Sequence, residues 1–163
     1  MISGTWIRPG MPLEDALCVR RAVFIEELGF PPEIETDALD EISWQAVLYK
    51  DGAPVASGRI YWEGGDFFLG RICVLRAWRN RGMGDALMRL LIKKALNHAA
   101  GSLVLCAIRQ AVPFFERYGF RPVGEPCDVD GMPHRHMRAT AEALRAPRDS
   151  GDTMCPEVKT IRP

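Results

Sequence analysis

The sequence has no net charge and no long apolar run, and both absences limit the kinds of partner that we expect for the protein. Lys and Arg together number 21, as do Asp and Glu, so the formal charge of the 163 residues is zero. A balanced charge gives no overall attraction to nucleic acid or to a membrane surface. No apolar run approaches the roughly 18 residues of a spanning helix, and the early Arg8 and Pro9 are unlike a secretion signal. We therefore expect neither nucleic acid nor membrane as a partner.

The five cysteines have no recognisable spacing. Their number is odd, and they form no Cys-x-x-Cys pair or zinc-ligand pattern. This favours reduced thiols in a cytoplasmic protein over a disulfide framework. His134 and His136 alternate on a predicted strand and share a face, but no third ligand is evident, so we predict no metal site. Cys106 is predicted to be a packed thiol.

Charge is present but unevenly distributed. Residues 22–49 contain no Lys or Arg, whereas seven acids fall there. Residues 71–94 hold seven basic residues and one acid, Asp85. The two runs are either two solvated faces or an acidic region that attracts a cation and a basic region that attracts an anion.

Hydrophobic periodicity predicts an α+β fold with a mixed sheet and helices packed on it. The second to fourth strands are expected to form an antiparallel meander, and Gly70 indicates a bulge or a close backbone approach in the fourth. One domain is predicted over residues 1–140, followed by a polar, flexible tail over residues 141–163 that begins with one helical turn. The predicted strands span residues 5–8, 44–49, 55–62, 67–75, 102–107, 120–123 and 134–138; the predicted helices span residues 12–28, part of the acidic stretch, 81–98 and 110–118.

The pattern Arg79-x-x-Gly82-x-Gly84 follows a strand and opens the clearest helix. Its glycines let the backbone approach a phosphate, while helix N–H groups, the helix dipole and Arg81 attract the negative charge. The Gly-Lys-Ser/Thr of a Walker loop is absent, and Leu87 stands where a dinucleotide fingerprint needs a third glycine. The residues alone leave two interpretations, an anion site and a plain tight turn.

The order of elements, this turn and the segment Val112-Pro113-Phe114-Phe115-Glu116-Arg117-Tyr118-Gly119-Phe120 together resemble the GNAT superfamily of acyl-CoA N-acyltransferases, over residues 5–140. Further motifs are similar to a bacterial YjcF/ElaA-like subgroup. These are Val23-Phe24-Ile25-Glu26-Glu27, Asp37 and Asp40, Gly58-Arg59-Ile60, Gly70-Arg71-Ile72, and Gly131-x-Pro133-His134-x-x-Met137.

The resemblance implies a fold and a cosubstrate. The fold is a mixed, mostly antiparallel sheet of six or seven strands, flanked by about four helices and splayed between the fourth and fifth strands. The cosubstrate is acetyl-CoA, with its pyrophosphate on the N–H groups of residues 81–85 and its pantetheine arm along residues 72–74. A backbone N–H near Val74 would polarise the thioester carbonyl. The implied cofactor-binding residues are Ile72, Cys73, Val74, Arg79, Arg81, Gly82, Met83, Gly84, Asp85 and Phe114.

The implied reaction is direct attack of a primary amine on the thioester. An alkyl ammonium has a pKa near 10.4, so a carboxylate, or a water chain ending on one, must take its proton. Glu27 and Asp40 are the predicted bases, with a surface or capping role as the alternative for each. The acceptor is expected to be a small-molecule or peptide amine. Dimers are common in the family that the chain resembles, so the resemblance allows a homodimer and leaves the oligomeric state open.

One position departs from the family pattern. Many members carry a tyrosine that protonates the departing thiolate where this chain has Phe115, and Tyr118 lies one helical turn further on. General acid help is typically worth ~10²–10⁴-fold, so its loss does not by itself abolish turnover. The alternative function is therefore a catalytically weak or inactive acyl-CoA-binding module.

Overall fold

The computed structural model describes residues 1–145 and 159–160. The chain forms two compact units. The first unit contains residues 1–61 and 71–91, and the second contains residues 62–70 and 92–145. The predicted flexible tail falls mostly outside the described residues, apart from a helical turn at its start and two strand residues. The predicted division at residue 140 stays a prediction.

The first unit is built on antiparallel strands. Strand β1 (Ile2–Ile7) pairs with β2 (Trp44–Lys50), which pairs with β3 (Ala53–Glu63). The unit also holds the end of β4 (Asp66–Val74) and the two-residue β9 (Lys159–Thr160), parallel to β1. Strand β2 is buried without alternation at Ala46, Val47 and Leu48, which is typical of a strand covered on both faces.

Helices of the first unit come in three groups. Helix α1 (Glu14–Arg20) continues without a break as a π-helical segment, Arg21–Glu27, so the helix predicted over residues 12–28 is confirmed. The acidic stretch forms two single turns, α2 (Pro32–Glu35) and α3 (Leu39–Ile42). The N-terminal part of α4 (Met83–Asn97) completes the unit. A Cβ at Gly58 of β3 would lie 3.1 Å from Leu91 Cδ1, so glycine permits this close packing of α4.

Strand β4 has an unusual backbone conformation at Arg71, next to Gly70, and the bulge or close approach predicted at Gly70 stays a prediction. Arg71 has a left-handed backbone, with φ of 50°, which costs energy for a residue with a side chain. The Arg71 guanidinium compensates by donating from Nε to the Glu35 carbonyl at 2.8 Å and from Nη2 to the Ile34 carbonyl at 2.9 Å. The end of α2 therefore holds the backbone turn that precedes the last residues of β4.

The second unit surrounds one parallel strand pair. The start of β4 pairs in parallel with β5 (Ser102–Ile108), with Phe67 opposite Leu103 and Leu69 opposite Leu105. Strand β8 (Met132–Thr140) is antiparallel to β5, and also to β6 (Arg121–Pro122) and β7 (Cys127–Val129). Helix α5 (Val112–Glu116) follows a 3₁₀ turn, and α6 (Ala141–Arg145) follows β8.

The predicted α+β fold with a mixed, mostly antiparallel sheet is confirmed. The described residues contain nine strands instead of six or seven, because β7 and β9 are too short to produce a periodic signal. Strand β1 begins at Ile2 and not at Thr5, so the predicted start of that strand was wrong. The described part of the chain has no helix with the length and apolarity that a membrane span requires.

Candidate cofactor and catalytic site

The predicted anion-binding pattern forms a strand, a turn and a helix. After Val74 the chain makes a 3₁₀ turn over Arg76–Trp78 and enters α4 at Met83. Asn80 and Gly82 both have left-handed backbones, with φ of 57° and 77°. A Cβ built at Gly82 would meet no atom within 4 Å. Glycine is therefore required for its conformation, and the backbone beside the helix start is open to a ligand.

The start of α4 presents positive charge at this turn. Helix α4 has 15 residues, and the Ala86 N–H donates to the Gly82 carbonyl at 2.9 Å. The amides that precede Ala86 belong to the first turn, where N–H groups have no intrahelical acceptor and the helix dipole is positive. The Arg81 guanidinium lies 5.3 Å from the centroid of the Trp78 ring. The predicted pyrophosphate residues, 81–85, thus surround a helix N-terminus.

Arg79, a predicted cofactor-binding residue, and Glu27, a predicted base, bind each other. Arg79 Nη1 and Nη2 donate to the two Glu27 carboxylate oxygens at 2.6 and 2.7 Å, and Arg79 Nε donates to the Val74 carbonyl at 3.0 Å. The hydrogen bonds from Arg79 lower the pKa of Glu27. Arg79 therefore connects the end of the π-helical segment to the end of β4.

Strand pairing sets the direction of the Val74 amide. The Leu75 N–H donates to the Val55 carbonyl of β3 at 2.9 Å. Because backbone groups of an extended strand alternate in direction, the N–H and C=O of Val74 face the side away from β3. The carbonyl accepts from Arg79 on that side. The Val74 N–H, predicted to polarise a thioester, thus lies on the same edge.

Asp40 is held by two arginines. It accepts from Arg20 Nη1 and Nη2 at 2.8 and 3.0 Å, from Arg59 Nη1 at 2.9 Å and from Gln45 Nε2 at 3.1 Å. Burial opposes ionisation, but the hydrogen bonds and charge of Arg20, and then of Arg59, outweigh it and lower the pKa of Asp40 to about 2. Such a carboxylate stays ionised at neutral pH and accepts protons poorly, which argues against its predicted role as base.

The neighbouring acids are paired in the same way. Arg20 is fully buried and binds the Glu35 carboxylate as well as Asp40. Arg59 donates to both oxygens of Asp37, at 2.6 and 2.9 Å. With Glu27, which binds Arg79, four of the seven acids of residues 22–49 are therefore paired with arginines inside the first unit. Their charge is neutralised, which weakens the predicted attraction of this region for a cationic acceptor.

The aromatic segment of the second unit is mostly core. Phe115 is buried in contact with the rings of Phe114 and Phe120, at centroid distances of 5.2 and 6.2 Å. Tyr118 is also buried and packs edge-on against Phe114 at 5.4 Å. The position of the family's tyrosine thus carries a buried ring without a hydroxyl.

A group of soft ligands on the second unit was not predicted. Cys106 is exposed, so its prediction as a packed thiol was wrong. Its Sγ lies 3.9 Å from Cys127 Sγ, and ligand atoms of these two residues and His136 all lie within 4.8 Å of one another. Partial burial and then Cys127 raise the pKa of Cys106 to about 11. The group could not be predicted from the sequence, because Cys127 lies on β7, a strand of three residues that shows no hydrophobic periodicity.

Comparison with known proteins decides the family. The model of the acetyltransferase (GNAT) domain matches residues 27–141. The chain belongs to the GNAT acetyltransferase family. This membership supports acyl transfer from an acyl-CoA, and a CoA derivative as the cosubstrate.

Individual relatives agree with this assignment. The chain is 40% identical over 126 residues to the uncharacterised N-acetyltransferase YjcF of Bacillus subtilis, covering 77% of this chain and 90% of that protein. The crystal structure of Escherichia coli ElaA has a TM-score of 0.77 at 26% identity, covering 85% of this chain and 99% of ElaA. A GNAT acetyltransferase from Elizabethkingia anophelis with acetyl-CoA bound shares the fold, with a TM-score of 0.63 at 17% identity, 85% of this chain and 97% of that one.

Proposed function

We propose that this GNAT protein transfers an acetyl group from acetyl-CoA to a primary amine by direct nucleophilic attack. The observation that supports the proposal most is the turn before α4. Its left-handed residues Asn80 and Gly82 leave open backbone beside the positive end of a 15-residue helix. Acetyl-CoA bound to a protein of the same fold supports the choice of acyl donor.

The residues of the first unit fit a CoA derivative. Backbone N–H groups of residues 81–85 and the Arg81 guanidinium would bind the pyrophosphate. The edge of residues 72–74 would pair with the amides of the pantetheine arm, and the Val74 N–H would polarise the carbonyl that is attacked. Acetyl-CoA supplies an activated thioester. Phe114 stays a predicted contact of the cosubstrate.

We propose a positioning role for Glu27. Its carboxylate is held by Arg79 and its pKa is lowered, so it is a weak acceptor for a proton from an ammonium with a pKa near 10.4. By holding Arg79, Glu27 fixes the position of the Val74 carbonyl and of the turn before α4. In this role the amine gives its proton through water to bulk solvent instead of to Glu27. Direct base catalysis by Glu27 is the competing role.

Phe115 favours a second candidate function. A buried ring without a hydroxyl cannot protonate the departing thiolate. This supports an acyl-CoA-binding module with weak or no catalysis as the alternative to the enzyme.

Turnover with a panel of amines separates the two functions. The protein is incubated with acetyl-CoA and polyamines, amino acids, aminoglycosides or peptides, and CoA is quantified by chromatography, because exposed Cys18 and Cys106 would react with a thiol reagent. CoA release that requires an amine supports the enzyme. Tight binding of acetyl-CoA without release across the panel supports the binding module.

Two matched glycine variants test the proposed cosubstrate site. Gly82→Trp should weaken CoA binding, whereas Gly52→Trp should not. Both glycines have positive φ and no atom within 4 Å of an added Cβ, so backbone strain is matched. Equal CoA affinity in the two folded variants would reject the site. The homodimer and the cytoplasmic location stay predictions.

A further inference from the structure

Three strands bring the two cysteines and His136 to one face of the second unit. Cys106 of β5 lies directly opposite His136 of β8, and Cys127 of β7 lies directly opposite His134 of β8. Side chains of directly opposed residues share a face, and so do residues two apart on one strand. All four side chains therefore lie on the same face, with the two thiols on either side of β8.

The separation of the sulfurs agrees with shared coordination of one ion. Zn²⁺ binds thiolate sulfur at about 2.3 Å, so two thiolates in a tetrahedral site lie about 3.8 Å apart. The Sγ atoms of Cys106 and Cys127 are 3.9 Å apart. The nitrogen that His136 offers lies within 4.8 Å of both.

A disulfide fits the same pair poorly. Strands β5 and β7 lie on opposite sides of β8, so the backbones that carry Cys106 and Cys127 are about two strand spacings apart, on the order of 9 Å. Disulfides usually join Cα atoms no more than about 6.8 Å apart. The thiols extend toward each other from a backbone that is too widely spaced for an S–S bond.

We propose that Cys106, Cys127 and His136 form a Zn²⁺ site. Two thiolates and one imidazole are ligands that Zn²⁺ prefers, and three protein ligands leave the fourth tetrahedral position for water or a solute. Cys106 and His136 are exposed and Cys127 is partly exposed, so an ion can enter from solvent without movement of the core. The site lies on residues of the second unit alone and does not depend on acyl transfer.

Metal binding to the full, reduced, metal-free chain tests the proposal. Titration with Zn²⁺ should give one site per chain, and Co²⁺ in its place should give an intense thiolate-to-cobalt absorption band. Cys106→Ser, Cys127→Ser and His136→Ala should each weaken Zn²⁺ binding roughly ten-fold or more. Cys18→Ser and His98→Ala, which change exposed residues of the same types outside the group, should leave the affinity unchanged.

Several results would overturn the proposal. One is the absence of a thiolate-to-cobalt band. Another is an affinity that falls as much in Cys18→Ser as in Cys127→Ser. A third is a Cys106–Cys127 disulfide that forms in air from the metal-free folded protein, because that would identify a redox pair in place of a metal site. Circular dichroism of every variant separates loss of a ligand from loss of the fold.

Discussion

Arg79 and Glu27 form a two-hydrogen-bond ion pair 52 residues apart in the sequence, with N–O distances of 2.6 and 2.7 Å. The same guanidinium donates to the Val74 carbonyl. One side chain therefore links the end of the π-helical segment, the end of β4 and the turn that precedes α4. A paired guanidinium of this kind is better suited to holding backbone in place than to neutralising a ligand by itself.

The first prediction concerns Glu27→Gln. The amide cannot bind the guanidinium through two charged oxygens, so Arg79 should hold the turn less firmly. We expect the KM for acetyl-CoA to rise several-fold while kcat changes by less than about two-fold. Steady-state kinetics with saturating amine measure both constants.

A neighbouring residue supplies the control for Glu27→Gln. Glu26 is an exposed acid next to Glu27, and Glu26→Gln should change neither constant. If Glu27→Gln instead lowers kcat and leaves the KM for acetyl-CoA unaltered, and the loss changes with pH, Glu27 is the general base and not a positioning residue.

The second prediction concerns acid stability. The pKa of Asp40 is about 2 in the folded protein and 3.8 without the fold. A pKa lowered by folding stabilises the protein above the unfolded value, and this stabilisation is lost as pH falls. Between pH 4 and pH 2 the protein should therefore lose on the order of 2 kcal/mol through Asp40. Asp40→Asn should be less stable at pH 7 and should depend less on pH over this range.

Denaturant unfolding at several pH values tests the role of Asp40. Removing one partner of a buried ion pair typically costs about 3–5 kcal/mol, because the other charge stays buried. Glu63→Gln, which removes an exposed carboxylate, should change stability by less than about 0.5 kcal/mol. An Asp40→Asn protein with the same slope against pH as the unaltered protein would contradict the assignment.

The third prediction concerns packing at Gly58. An added Cβ would lie 3.1 Å from Leu91 Cδ1 and 3.4 Å from Ile72 Cγ1, so α4 would have to shift against β3. Gly58→Ala should destabilise the protein by about 1–3 kcal/mol. A Cβ added at Gly101 would lie 3.6 and 3.7 Å from its nearest atoms, which is ordinary van der Waals contact. Thermal unfolding should therefore show a much smaller change for Gly101→Ala.

Local sequence patterns were sufficient to predict features that depend only on residues close together in the chain. The turn with Gly82 and the helix after it follow each other in the chain, so the helix and its open turn could be predicted from sequence. The partners of Glu27 and Asp40 could not be predicted, because Arg79, Arg20 and Arg59 reach them only through tertiary folding. An isolated carboxylate in a sequence looks the same whether it is exposed or bound to two arginines.

The group formed by Cys106, Cys127 and His136 could not be predicted from the sequence for a related reason. Cys106 and His136 lie on predicted strands, but their pairing depends on the register of β5 with β8. Cys127 lies on β7, which has three residues and shows no periodicity. A search by sequence spacing finds ligands that are close in the chain, whereas here each ligand comes from a different strand.

The last prediction concerns the missing proton donor. Phe115→Tyr places a hydroxyl where the family resemblance has one, so kcat should rise if thiolate departure limits the rate. General acid catalysis is typically worth ~10²–10⁴-fold, which sets the upper limit of the gain. Phe120→Tyr is the control, since Phe120 is also buried and should pay a similar cost in stability without any gain in kcat. A Phe115→Tyr protein that folds and turns over no faster would mean that departure of the thiolate is not the limiting step, and a broad panel without turnover in either protein would favour the acyl-CoA-binding module.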